Sequence, residues 1–251
     1  MVMTPPAARF VRTTPASSSQ NAQARSAAAD PHQIAILTYD IAALTPDGKV
    51  HYGTVKVPEQ PFFQAAFTAF ARGTVIRTPN GAVAIEDLQP GDPVAIQDGG
   101  VATVKWIGSG ACRPTQANPL VRILPQSFGP ARPDVFVTLG PGAQISHCSP
   151  HDRAEQPDQR PLRPAKEFVD GVHIIQITPP TPVTLYHLVL DQHAIIQAGG
   201  LECESFHPCV DTFQAMSHGL QGHFLRLFPH ISKLSDFGPI AAPRTSLKPA
   251  G

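Results

Sequence analysis

The 251-residue sequence predicts an all-β protein. Three observations carry that prediction. Short apolar, β-branched runs recur along the chain; Pro, Gly, Asn and Asp punctuate nearly every gap between them; and apolar residues fall at helical spacing only after Phe206. With 28 prolines and 19 glycines spread through the connections, long helices or βαβ crossovers have little room to form.

Residues 1–32 are rich in Ala, Ser, Thr, Pro and Gln and hold few large apolar side chains, so they are expected to form a disordered tail. Ile34 to Leu44 is apolar and β-branched, Thr45-Pro46-Asp47-Gly48 supplies turn chemistry, and Tyr52 to Val57 alternates as a strand does, which together predict a β-hairpin. A second such turn, Thr78-Pro79-Asn80-Gly81, separates Thr74-Val75-Ile76 from Val83-Ala84-Ile85, and Pro90-Gly91-Asp92 leads into Val94-Ala95-Ile96. Further strands are expected at Val101 to Ile107, Leu120 to Leu124, Val135 to Thr138, Val172 to Ile177, Leu185 to Leu190 and Ala194 to Gln197. The polar, Pro-rich stretch from Gly140 to Arg163 reads as a long surface loop. After Phe206, Thr212 to Met216 and Phe224 to Leu234 suit short helices interrupted by Gly219, Gly222 and Pro229.

Nineteen basic residues balance nineteen acidic ones, so nothing in the overall charge draws the chain to nucleic acid or an anionic membrane. No apolar run approaches the ~18 residues of a membrane span, and no secretory signal is visible, so the chain reads as soluble. Arg9, Arg12 and Arg25 precede the first acidic residue, Asp30, a composition shared by organelle transit peptides and disordered tails. The four cysteines are too dispersed to define a disulfide framework. Composition fixes no compartment, cofactor or partner, although a protein partner is compatible with it.

The string Ala69-Phe70-Ala71-Arg72-Gly73-Thr74, the Thr78-Pro79-Asn80-Gly81 turn and the Ile85-Glu86-Asp87-Leu88-Gln89-Pro90-Gly91-Asp92 element follow one another in an informative order. They are joined by Val104-Lys105-Trp106-Ile107-Gly108, Val121-Arg122-Ile123, Pro164-Ala165-Lys166, Tyr186 to His193 and the closing Gly200-Leu201-Glu202-Cys203-Glu204-Ser205-Phe206. This succession resembles bacterial Hint (Hedgehog/intein) domains, which open C-F-x-x-G-T, continue through a TPDG-like turn and V-E-D-L-x-x-G-D, and end G-L-x-x-E-S-F. The resemblance implies a compact, pseudo-symmetric all-β horseshoe over 69–206. It also implies an extein-like hairpin segment over 33–68 and a C-terminal extension with short helices over 207–251.

The chemistry of that family requires a side chain at the first position to attack the preceding carbonyl, which only a thiol or hydroxyl can do. Here the position is Ala69, a vestigial nucleophile site. Thr68 carries a hydroxyl but lies one residue early. The family's T-x-x-H element supplies an imidazole to protonate the departing nitrogen. In the frame of Thr138-Leu139-Gly140-Pro141 that imidazole is replaced by Pro141. A rival frame, Ser149-Pro150-His151-Asp152-Arg153, resembles S-P-x-H-R with the histidine displaced by one, making His151 a substitute. His187 and His193 persist in the late element, and histidine is a residue type suited to acid–base work, although on half-buried strands histidines are commonly structural. Glu204-Ser205 stands where inteins end in H-N, which excludes splicing.

The resemblance therefore implies a degenerate Hint domain acting as a β scaffold or interaction module. Two other readings stand beside it. One is residual single-turnover cleavage near Ala69 through Thr68 with His151 or His187. The other is zinc binding through Cys148, His151, Cys203, His207 and Cys209, whose soft thiolate and imidazole donors suit that ion despite irregular spacing. Nucleic-acid binding finds no basic run or aromatic platform.

Overall fold

A computed structural model of the protein describes residues 35–148 and 160–245, which fall in one compact unit. The expected tail over residues 1–32 and His151 lie outside the described residues.

Two antiparallel sheets account for nearly all of the regular structure. The larger is built around β7 (Val101–Cys112) and β13 (Val183–Leu190), which pair from Val183↔Cys112 to Leu190↔Val104. Burial along the start of β7 alternates with period two, Ala102, Val104 and Trp106 facing inward, as a sheet with one solvated face requires. On one side of this pair lie β1 (Ile36–Leu44) and β2 (Val50–Pro58), joined through the Thr45–Gly48 turn, with β1 pairing β7 from Asp40↔Ser109 to Ala43↔Trp106. On the other side come β3 (Phe70–Ala71), β9 (Val137–Leu139), β8 (Leu120–Ile123) and β12 (Ile174–Ile177). A short strand, β6 (Pro93–Ala95), also pairs with β7. The smaller sheet contains β4 (Val75–Thr78), β5 (Gly81–Ala84), β10 (Gln144–Ser146), β11 (Leu162–Pro164), β14 (Ile195–Ala198) and β15 (Leu201–Glu204).

The Gly140 to Arg163 stretch departs from its expected loop character at both ends. Gln144–Ser146 and Leu162–Pro164 pair as β10 and β11, because Ile145 and Leu162 bury into the core and bring their neighbours into a ladder. Val135 and Phe136, expected in a strand, are 59% and 58% exposed, and β9 begins only at Val137.

Two main apolar clusters hold the unit together. The first, with Phe70, Ile76, Ile123, Leu139, Leu188 and Ile196, lies within 69–206. The second is shared between segments far apart in sequence. Tyr39, Ile41, Val57, Phe63 and Phe67 from the upstream side meet Phe213, Phe224, Leu227, Phe228 and Phe237 from the downstream side, around Trp106, Val189 and Phe206. The upstream residues ride on β1, β2 and α1 (Pro61–Ala65), a short helix begun by a proline whose missing N–H costs nothing there. The downstream residues ride on α2 (Val210–Gln214), α3 (His218–Leu225), the turn that follows α3 and a 3-10 turn at Leu234–Phe237. Ser217 caps α3 by accepting from the Leu220 amide. The indole N–H of Trp106, fully buried, donates to the Leu227 carbonyl at 2.8 Å. Among the described residues no helix is long and apolar enough to cross a membrane.

Candidate functional site

The peptide joining Thr68 to Ala69 runs from the end of α1 into β3 and is buried on both sides, Thr68 at 3% and Ala69 at 0% exposure. Four backbone hydrogen bonds fix its surroundings. The Ala69 amide donates to the Tyr186 carbonyl (3.0 Å), and the Arg72 amide to Thr184 (3.0 Å). The Gly140 amide donates to the Ala69 carbonyl (2.8 Å), and the Gly142 amide to the Thr68 carbonyl (2.9 Å). That last bond aims an N–H dipole at the carbonyl which a side chain at position 69 would attack, the orientation that favours negative charge developing on its oxygen.

Glycine at 140 and 142 is what permits this approach. A Cβ on Gly140 would drive into the Thr68 carbonyl and the Leu185 side chain, and one on Gly142 would lie 2.5 Å from the Ala65 carbonyl oxygen and 3.1 Å from Thr68 Oγ1. Neither glycine was singled out from the sequence. The available signal was their placement on either side of Pro141, within and just after the Thr138–Pro141 frame.

The side chains of that frame point elsewhere. Thr138 accepts a long hydrogen bond from Arg122 Nε (3.4 Å), on the face of β9 opposite to buried Leu139, and Pro141 is exposed. Thr68 Oγ1 donates to the Gln64 carbonyl (2.9 Å), so its hydroxyl closes the helix end. The Ala69 methyl lies in the first apolar cluster.

His187 is fully buried on β13, its ring edge-on to Phe70 and to Phe206 at centroid distances of 5.5 and 5.3 Å. Its Nδ1 accepts from the Leu188 amide at 3.1 Å. Burial, with smaller contributions from the positive charge of Arg244 and from His193, pulls its pKa down to about 3, so the ring is neutral throughout the physiological range.

His193 belongs to a different group of side chains. Its Nδ1 accepts from the Ala241 amide (2.8 Å), which leaves the proton to Nε2, 3.4 Å from Glu204 Oε2. Glu204, 3% exposed, is also gripped by Arg244, whose Nη2 donates to Oε1 at 3.0 Å and to the His207 carbonyl at 2.6 Å. The His207 ring lies 4.9 Å from that of His193, with Nδ1 2.8 Å from the Pro208 carbonyl and Nε2 3.0 Å from the Gly238 carbonyl. Burial lowers the His207 pKa. Glu204 was visible in the closing motif, but its partner Arg244 lies well outside any motif.

Of the expected zinc donors, His151 lies outside the described residues, and Cys148, Cys203, His207 and Cys209 form no cluster among those described. Cys203 is buried, and burial pushes its thiol pKa up. Cys209 is exposed, and a hydrogen bond with the Thr212 side chain pulls its thiol pKa down. Among the described residues no group of three or more His, Cys, Asp or Glu side chains is placed to hold a metal ion. A cleft of about 450 Å³ is lined by Ala65, Pro141, Gly142, Glu204, Phe206 and Arg244, among others, so α1 and the chain after Phe206 share its walls.

Several solved structures resemble this fold at low identity. A bacterial intein-like domain from Clostridium thermocellum is 16% identical, with a TM-score of 0.40, over 56% of this chain and 99% of its own. The Msm DnaB1 intein splicing domain bound with zinc is 20% identical, with a TM-score of 0.36, over 55% and 100%. A DnaB intein from Synechocystis is 14% identical, with a TM-score of 0.35, over 55% and 98%. No curated protein sequence matches the chain significantly. The family model described as the Hint domain matches residues 68–210, more than half of the chain. The protein therefore belongs to the Hint domain family.

Proposed function

We propose that this Hint domain has lost self-cleavage and serves as a β scaffold or interaction module that keeps its flanking segments attached. One observation carries the reading: the peptide at the family's cleavage position starts with Ala69, is buried, and is hydrogen-bonded through both neighbouring carbonyls to glycine amides. The Gly142 amide still polarises the Thr68 carbonyl, but no atom at position 69 can attack it. Without a nucleophile, a polarised carbonyl remains an ordinary amide. The buried His187, His193 and Glu204 act in this reading as structural residues that fasten strands and tail.

Intact mass spectrometry of the purified chain, before and after dithiothreitol at neutral pH, tests the proposal. A single unchanged mass supports it. Fragments that meet at or beside Ala69 overturn it and assign a nucleophile elsewhere, with Thr68 the first residue to replace.

A further inference from the structure

Two glycines on β7 carry an arrangement that the loss of cleavage does not explain. A Cβ at Gly110 would collide with the ring of Tyr39, and one at Gly108 would lie 2.6 Å from the ring of Phe67 as well as striking Trp106. Bare backbone at these positions forms a bed on which both upstream rings lie. The two rings also stack on each other, centroids 4.1 Å apart and 13° from parallel, and Phe67 stands edge-on to Trp106 at 5.4 Å.

The same upstream segment is held at further places. β1 is in register with β7 over Asp40 to Ala43, so its backbone completes the large sheet. Phe63 packs edge-on against Phe224, and the His223 ring sits with Nε2 2.9 Å from the Lys56 carbonyl. Tyr52 donates its hydroxyl to Gln89 at 2.6 Å. Aromatic anchors in a desolvated centre, ringed by polar contacts and backed by a strand ladder, are the composition of a tight intermolecular interface.

We propose that β7, Phe67, Trp106 and the C-terminal helices form a docking surface whose occupant is the chain's own upstream hairpin, residues 35–59, and that this surface holds the hairpin without the covalent link. A cut in the link after β2, by whatever agent, then yields a two-chain particle rather than a released hairpin. The inference is independent of whether the domain cleaves itself, since any cut serves.

The test introduces a protease recognition site into the full chain between Glu59 and Gln60, a link at the end of β2. After folding, the protein is cut, and the products are separated by size exclusion in native buffer and in denaturant. Co-elution of the hairpin with the remainder in native buffer, and separation only in denaturant, is the expected result. Release of the hairpin in native buffer overturns the proposal. In the cut protein Tyr39→Ala should raise hairpin release at least about tenfold, as loss of a central aromatic anchor does; unchanged release removes the ring bed as its basis. Should the insertion itself unfold the uncut chain by near-ultraviolet circular dichroism, the cut is made at the exposed Asp47–Gly48 tip instead; because β2 also pairs with β1, retention of the β1 fragment that Tyr39→Ala weakens supports the proposal, and release, or retention that Tyr39→Ala leaves unchanged, overturns it.

Discussion

The amide of Ala69 donates to the Tyr186 carbonyl, and that of Phe206 to the Leu188 carbonyl at 2.7 Å, so both residues are fastened to one strand on either side of His187. The imidazole between them contacts Phe70 and Phe206 at once. Two residues far apart in sequence are thus tied beside a single buried histidine, and that geometry sets the first expectation.

His187 should make the protein acid-labile over a defined range. Its pKa is lowered from the ordinary value to about 3 by burial, so the unfolded chain binds a proton there between about pH 6.5 and 3 while the folded chain does not. Stability from this group is fully present above about pH 6.5 and falls as pH drops toward 3, at up to ~1.4 kcal/mol per pH unit. Urea midpoints measured from pH 7.5 to 4.5 should decline below 6.5, and His187→Phe should flatten part of that slope.

Restoring the nucleophile alone should not restore cleavage. In Ala69→Cys the thiol gains a carbonyl already polarised by Gly142, but Pro141 offers no proton to the departing nitrogen, a deficit worth about 10²–10⁴-fold in rate. Overnight incubation with dithiothreitol should leave the variant as one mass. Rapid, thiol-dependent cleavage would show that another group acts as the acid.

Gly140→Ala should destabilise the fold by about 1–3 kcal/mol, because its methyl would meet backbone at Thr68 as well as the flexible Leu185. Gly219→Ala, in α3 with open space around its Cβ, should be neutral or stabilising by comparison. Paired urea titrations of the two variants check the contrast.

Removing the Arg244 side chain should loosen the segment near residue 240 before it unfolds the domain. Arg244→Ala leaves the Glu204 carboxylate beside His193 without its guanidinium partner, and the Leu162–Pro243 and Thr245–Leu162 backbone hydrogen bonds, with the Ala241 amide on His193, remain to hold the tail. Limited proteolysis should cut this variant between Gly238 and Thr245 at protease concentrations that spare the parent chain.

The sequence disclosed what is local. The Thr45–Gly48 and Thr78–Gly81 turns mark their hairpins because turn residues and flanking alternation lie within a few positions of one another. The C-terminal helices were legible only in part: Thr212 to Met216 overlaps α2, but Gly219 and Gly222, read as interruptions, lie inside α3, and most of Phe224 to Leu234 follows that helix. What escaped depends on distant partners. β10 holds three residues between Ala143 and His147, too few for any period, and exists as a strand through Arg163 and Cys203. The motif draws attention to Ala69, but the glycine amides around its peptide become meaningful only when β9 is laid against β3. Arg244 is similarly silent until the fold brings it to Glu204.

The shared second core bears on how this domain could travel between host proteins. Residues 69–206, lifted out as a cassette, would take Trp106, Val189 and Phe206 with them and leave behind the rings that cover these side chains. A module with so much bare apolar surface would be poorly suited to insertion at a new address. Its neighbours on both sides have become part of its inheritance, and the unit that recombination could move is the whole stretch from the first hairpin to the last aromatic turn.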